Sequence, residues 1–287
     1  MRKIASEQAA AQPKKKGIYL VLIIIAAAVL AVSAYMLISY YAGADSEENT
    51  YGELTSAHVS MDEQEVEEQI QKMNFKTGIS LSDGTYYYDP TLTDYYSVLA
   101  DRNIGLLQEQ YPDIIGWLYI PGTKISYPVM YSEGEEYLYR NFKGEDVKSG
   151  SLFMFNTTSL DPRDNNITIH GHDMKSGAMF GSLKAFWLEE EMWTGENILY
   201  FDTADGQHKY QIFSIYITGT DDVQSKTSFA SDEEYVEYLN QMAQKSHFPA
   251  KNVTFSAQDK ILTLSTCTRL LSSSGEDRLI IQAKLVE

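Results

Sequence analysis

From Gly17 to Ala44 the chain carries no charged side chain, and this run constrains the fold more than any other feature. Its centre, Ile18 to Ile38, is dominated by Leu, Ile, Val, Ala and aromatic residues. About 20 apolar helical residues cross the hydrocarbon core of a bilayer, so the run is long enough to span. A cleavable signal peptide usually has an apolar stretch of about 7–15 residues, shorter than this one. Tyr35, Tyr40 and Tyr41 suit an interfacial aromatic belt. The expectation is an uncleaved anchor.

Charge sets its orientation. Arg2, Lys3, Lys14, Lys15 and Lys16 precede the span against the single acid Glu7, while Asp45, Glu47 and Glu48 follow it. The positive-inside rule then leaves the N-terminus in the cytoplasm and everything after about residue 44 outside. The whole chain has a net charge of −17, and the tail accounts for five positive and one negative side chains, so the exported part is more acidic still. Such a surface argues against nucleic acid as a partner. The single cysteine, Cys267, cannot form an internal disulfide. An unpaired thiol in an exported protein is a buried spectator, an intermolecular link or a reactive group.

Four segments follow: a cytoplasmic tail over 1–16, a transmembrane anchor over 17–41, an extracellular stalk and helical lead-in over 42–92, and one globular domain over 93–287. Apolar Met61, Val66, Ile70 and Met73 among acids predict an amphipathic helix, and a second is expected from Thr93 to Gln110, before Pro112. Beyond Gly116, short β-rich runs alternate with turn signals. They are Gly116–Ile120, Ile125–Val129, Asn166–Ile169, Lys209–Thr218, Val253–Phe255, Ile261–Thr266 and Arg278–Val286. This pattern predicts a mainly β domain with peripheral helices, a sandwich or barrel. Helices interrupt it over Ala178–Met192 and from Ser231, where Ser231 and Glu234 form a capping box.

Within Ile261–Cys267, period-2 alternation sends Leu262 and Leu264 to one face, and Thr263, Ser265 and Cys267 to the other. The leucine face needs a core, and the hydroxyl and thiol face is polar enough to line a cleft. If the next run pairs antiparallel, Arg278 at its start comes to lie beside Cys267 at the end of the first. A solvated arginine at a strand edge is the alternative. His170 and His172 flank Gly171 at a strand end, a plausible place for an exposed imidazole. Their spacing also suggests a metal pair, but no third ligand cluster supports one, so neither metal nor cofactor is expected. An imidazole that takes and returns a proton favours the attacking thiolate, and a guanidinium can stabilise the oxyanion that results.

These residues resemble the sortase family. Thr263-Leu264-Ser265-Thr266-Cys267 resembles its T-L-x-T-C signature, followed by an arginine opening the next strand, and Ile169-His170-Gly171-His172-Asp173-Met174 resembles its histidine motif. Pro112–Thr123, Ile125–Val129, Met179–Leu183, Ile212–Tyr216 and the helix after Ser231 look like the class B subgroup. The resemblance implies a closed eight-stranded β-barrel, preceded here by a transmembrane helix. It implies Cys267 as nucleophile, His172 as acid/base and Arg278 as oxyanion donor, with Ser265 and Thr266 lining the substrate cleft. His170 stands where sortases usually carry tyrosine. The implied reaction cleaves a C-terminal sorting signal of NPxTx or LPxTG type after threonine. A peptidoglycan precursor amine then resolves the thioester, joining a surface protein to the wall of a Gram-positive bacterium. The implied enzyme sits in the plasma membrane as a single-pass protein.

Other readings compete. A wall-acting cysteine peptidase generally places cysteine before histidine, at a helix start, the reverse of the order here. A non-enzymatic wall-binding module would leave Cys267 a spectator. A pilin-polymerising sortase would use a lysine amine as acceptor.

Overall fold

The computed structural model describes residues 14–57, 104–219, 226–272 and 275–286. The helix expected over Met61–Met73, and the part of the second expected helix before Ile104, lie outside these residues. The chain forms two compact units, one up to Ser46 and one from Glu47 onward. Helix α1, Lys14–Ala57, carries the apolar run, and its Tyr19–Ser39 stretch is long and apolar enough to cross a membrane. Its last turns belong to the second unit, where Tyr51 and Leu54 are buried in the main core.

A short helix α2 (Ile104–Gln110) leads into eight strands: β1 (Ile114–Tyr119), β2 (Ser126–Ser132), β3 (Leu152–Phe155), β4 (Asn166–His170), β5 (Ile198–Thr203), β6 (Gly206–Thr218), β7 (Ile261–Thr268) and β8 (Asp277–Leu285). They close into a barrel in the order β1-β2-β3-β4-β7-β8-β6-β5, with β5 returning to β1. The pairs β2/β3 and β4/β7 are parallel; the other neighbours are antiparallel. Closure satisfies every strand edge internally.

Alternation fills the interior with Leu118, Val129, Ile167, Ile169, Leu262, Leu264, Leu279 and Ile281. Strands β6, β7 and β8 carry apolar residues on consecutive positions, which alternation cannot bury on one face. The reason is helix α4 (Asp232–Gln244), which covers the outside of β6, β7 and β8. Its Tyr235, Tyr238, Leu239 and Met242 pack on Phe213, Tyr216, Ile261 and Ile280. Beneath it runs a buried polar chain: Thr263 Oγ1 donates to Asn166 Oδ1 at 2.8 Å, and Gln282 Nε2 donates to Thr263 Oγ1 and Tyr238 Oη at 3.1 Å each. It ties β4, β7, β8 and α4 together.

The start of α4 follows the sequence signal: Ser231 Oγ accepts from Glu234 N at 3.2 Å. The reciprocal half of the box reaches one residue further, with Glu234 accepting from Ala230 N. Two expectations are corrected. Ala178–Met192 is not one helix but a 3-10 turn (Phe180–Lys184), a single helical turn α3 (Ala185–Leu188) and a second 3-10 turn (Glu190–Met192). Glu189 breaks it with extended backbone (φ −118°, ψ 104°). Val253–Phe255 is not a strand; its Val253 and Phe255 pack over the α4 core from irregular chain. Strands β3 and β5 were not anticipated: the first has only four residues, and neither alternates clearly.

Candidate active site

The site grows from β7. With Leu262 and Leu264 buried in the barrel, the alternate positions face outward, and Cys267 reaches solvent near the strand end. On one side β8 runs antiparallel, and its register sets Arg278 directly opposite Cys267. Cross-strand partners share a face, with Cβ atoms about 4.5–5.5 Å apart. On the other side β4 runs parallel, aligning His170 with Ser265.

Beyond His170 the chain turns at Gly171, whose carbonyl accepts Thr266 Oγ1 at 2.7 Å. A Cβ there would lie 2.4 Å from Leu152 Cδ2 and 3.0 Å from Phe180 Cδ2, so a larger residue would have to displace these side chains. His172 follows immediately. Its Nε2 is 2.9 Å from the Leu138 carbonyl oxygen. A carbonyl can only accept, so Nε2 carries the hydrogen, and in the neutral ring Nδ1 is left to accept a proton. The ring of the exposed Tyr139 lies against it, centroids 5.7 Å apart. The carbonyl of His172 accepts Phe180 N at 2.9 Å, and the next residue, Asp173, pairs with Lys184 at 2.6 Å. The histidine loop is thus held at backbone and side chain alike.

His172 and Cys267 line one cleft of about 330 Å³ together with Asp173, Lys175, Lys184, Thr268, Arg269 and Gly275. Three cationic side chains against one acid contrast with the acidic chain as a whole. Arg278 is partly buried, its Nη1 donating to the Glu276 and Asp277 carbonyls at 3.0 and 3.4 Å. His170 packs against Phe153 and Phe155, with ring centroids 5.5 and 5.1 Å away. Burial, aided by the Arg278 charge, pushes its pKa down to about 4, so it stands neutral.

Ser265 and Thr266 are buried, at 5% and 2% exposure, and like Arg278 they lie next to the cleft around Cys267 rather than in its lining. Thr266 points to the other face from Cys267 and serves as the tether to Gly171. The Leu138 carbonyl, Tyr139, Lys175, Lys184 and Arg269 were not legible in sequence, since no local pattern marks a residue that meets the site only through folding. Among the described residues, no group of three or more His, Cys, Asp or Glu is placed to hold a metal ion.

Residues 118–286 match the family described as Sortase domain. The chain is 33% identical over 202 residues to Sortase B of Listeria monocytogenes, covering 70% of this chain and 80% of that protein. It is 31% identical over 176 residues to Sortase B of Staphylococcus aureus, covering 61% and 71%. Among solved structures, it superimposes on the Staphylococcus aureus sortase B–substrate complex with a TM-score of 0.62 at 25% identity, over 85% of this chain and 97% of that one. Sortase B from Bacillus anthracis, in complex with AAEK1, gives a TM-score of 0.56 at 37% identity over 63% and 83%.

Proposed function

Because the chain belongs to the sortase family of cysteine transpeptidases, we propose that Cys267 is its nucleophile, His172 its acid/base and Arg278 the donor to the oxyanion. The observation that carries this reading is the β7/β8 register, which sets Arg278 opposite Cys267, with His172 in the same cleft.

The Cys267 thiolate attacks the carbonyl carbon of the threonine in a sorting signal, forming a C–S bond and a tetrahedral oxyanion. The guanidinium is cationic at any working pH and offers donors toward that oxygen. Collapse expels the amine of the following residue, which takes the proton that His172 holds at Nδ1. A second amine attacks the thioester, gives its proton back to His172, and leaves as a new amide while the thiolate is released. The Leu138 carbonyl keeps Nε2 occupied throughout, so the proton shuttles at one nitrogen.

The substrates are surface proteins with a C-terminal signal of NPxTx or LPxTG type, and the acceptor is an amine of a peptidoglycan precursor. The tail up to Lys16 is cytoplasmic, the apolar helix spans the plasma membrane, and the barrel lies outside a Gram-positive cell.

The test uses the full chain in membranes with quenched fluorescent peptides of both motifs, reading product mass with and without an added amine. Cleavage after threonine and amine capture are expected, with both lost in Cys267→Ala. Arg278→Ala is expected to lower kcat by about 10²–10³, the cost of an oxyanion donor. Cleavage that persists in Cys267→Ala removes the reading.

A further inference from the structure

Folding brings the end of α1 close to the histidine loop. Tyr51 Oη lies 3.2 Å from the Gly150 carbonyl oxygen and 3.2 Å from Ser151 Oγ, all buried. Its ring sits between Tyr127 and Phe142, with centroids 5.2 and 5.3 Å away, and Leu54 one turn on is buried beside it. The Gly150–Ser151 corner in turn holds residues 137–140. Ser151 N donates to the Tyr137 carbonyl at 2.8 Å, and Ser151 Oγ donates to the Arg140 carbonyl at 2.9 Å. These two carbonyls bracket Leu138, whose own carbonyl meets His172 Nε2 at 2.9 Å. Gly150 has a φ of +59°, and a Cβ on it would lie 2.3 Å from the Leu138 oxygen. The corner therefore touches that oxygen with nothing larger than hydrogen in between.

We propose that Tyr51 is a positioning residue for His172: it fixes the Gly150–Ser151 corner, which holds the Leu138 carbonyl where it sets the tautomer and orientation of the imidazole. The membrane-side helix thereby contributes to the reaction without touching substrate. This rests on the role proposed above for His172. A tyrosine serving stability alone would contribute through its ring; the hydroxyl is the part that reaches the corner. Its hydrogen bond to a backbone group is of the ordinary size whose loss changes a rate by about fivefold.

The experiment compares the full chain in lipid nanodiscs with Tyr51→Phe, which keeps the ring and removes the hydroxyl. Ser214→Ala serves as control, since it deletes another buried hydrogen bond, Ser214 Oγ to the Met242 carbonyl at 2.6 Å, under α4. Two readouts are taken: kcat and KM for a sorting peptide, and the imidazole ¹⁵N shifts of His172, assigned by their absence in His172→Gln. The expected result is a kcat about fivefold lower with KM unchanged in Tyr51→Phe, and His172 shifts moving from Nε2–H toward a mixture of tautomers. Ser214→Ala is expected to leave both as in the parent. Unchanged His172 shifts in Tyr51→Phe overturn the inference, as does an equal fall of kcat in Ser214→Ala. If the parent chain cuts no peptide, the transpeptidase reading fails by itself, and the nitrogen shifts still decide this one.

Discussion

At the scale of single residues, two histidines separated by one glycine have opposite fates. His172 faces the cleft with one nitrogen committed to Leu138. His170 is stacked on Phe153 and meets Phe155 edge-on, with its pKa lowered to about 4 by burial and by Arg278. The native state therefore refuses a proton that the unfolded chain accepts near pH 6.5. The stability contributed is complete above about pH 6.5, is lost as pH falls toward 4, and changes no further below that. Asp205 is also lowered, to about 2: burial would raise it, but hydrogen bonds from Thr203 and His208 and the Arg163 charge more than offset this. Its window lies below that of His170. Urea denaturation of the parent and of His170→Tyr, at pH 7 and pH 4.5, is expected to show the parent losing roughly 2 kcal/mol more than the variant, a figure reduced from the full shift for the exposed ring edge. Equal losses would mean that His170 is not held neutral by its site.

At the scale of elements, the working geometry depends on strand register. A slip of one residue in β7 would turn Cys267 into the barrel and Leu264 out of it. The Asn166–Thr263–Gln282–Tyr238 chain opposes that slip, because its groups meet only in the observed alignment. Thr263→Val keeps the shape but withdraws the hydroxyl from buried Asn166 and Gln282, and is expected to cost about 1–3 kcal/mol in thermal or urea unfolding. Gly171→Ala acts on the other arm of the site. Its new methyl would meet Leu152 and Phe180, so a loss of about 1–3 kcal/mol is expected, with His172 displaced and kcat lowered. A variant as stable and active as the parent would show that the turn has room to spare.

At the scale of the whole molecule, the last turns of α1 belong with the barrel. Within the stretch read from composition as stalk and helical lead-in over 42–92, Tyr51 and Leu54 are buried in the main core of the second unit. A chain starting at Glu47 is expected to melt cooperatively with the barrel intact. One starting at residue 58 loses both buried side chains and is expected to be less stable by roughly 3–5 kcal/mol, measured by urea unfolding. Equal stability of the two would place Tyr51 and Leu54 outside the core. The cationic lining of Lys175, Lys184 and Arg269 belongs to this scale as well, because the β4–β5 connection and the chain after β7 supply it jointly.

The amino-acid sequence by itself determined whatever depends on neighbours in the chain. The length and apolar character of Gly17–Ala44, the cap at Ser231, and the alternation that turns Cys267 away from Leu262 and Leu264 follow from backbone stereochemistry and local hydrogen bonding. The order of motifs was enough to identify the family, and the run opening at Arg278 put that residue beside Cys267 on the condition of antiparallel pairing, which the barrel meets. Only the tertiary structure decided which carbonyl holds His172, since Leu138 lies 34 residues away and no pattern in the chain connects them. The same is true of Tyr51 at the Gly150–Ser151 corner and of Thr266, whose hydroxyl turned inward to Gly171. The cause is the closure of the barrel: it joins strands distant in sequence, and the contacts so made obey packing and hydrogen-bond satisfaction rather than spacing along the chain.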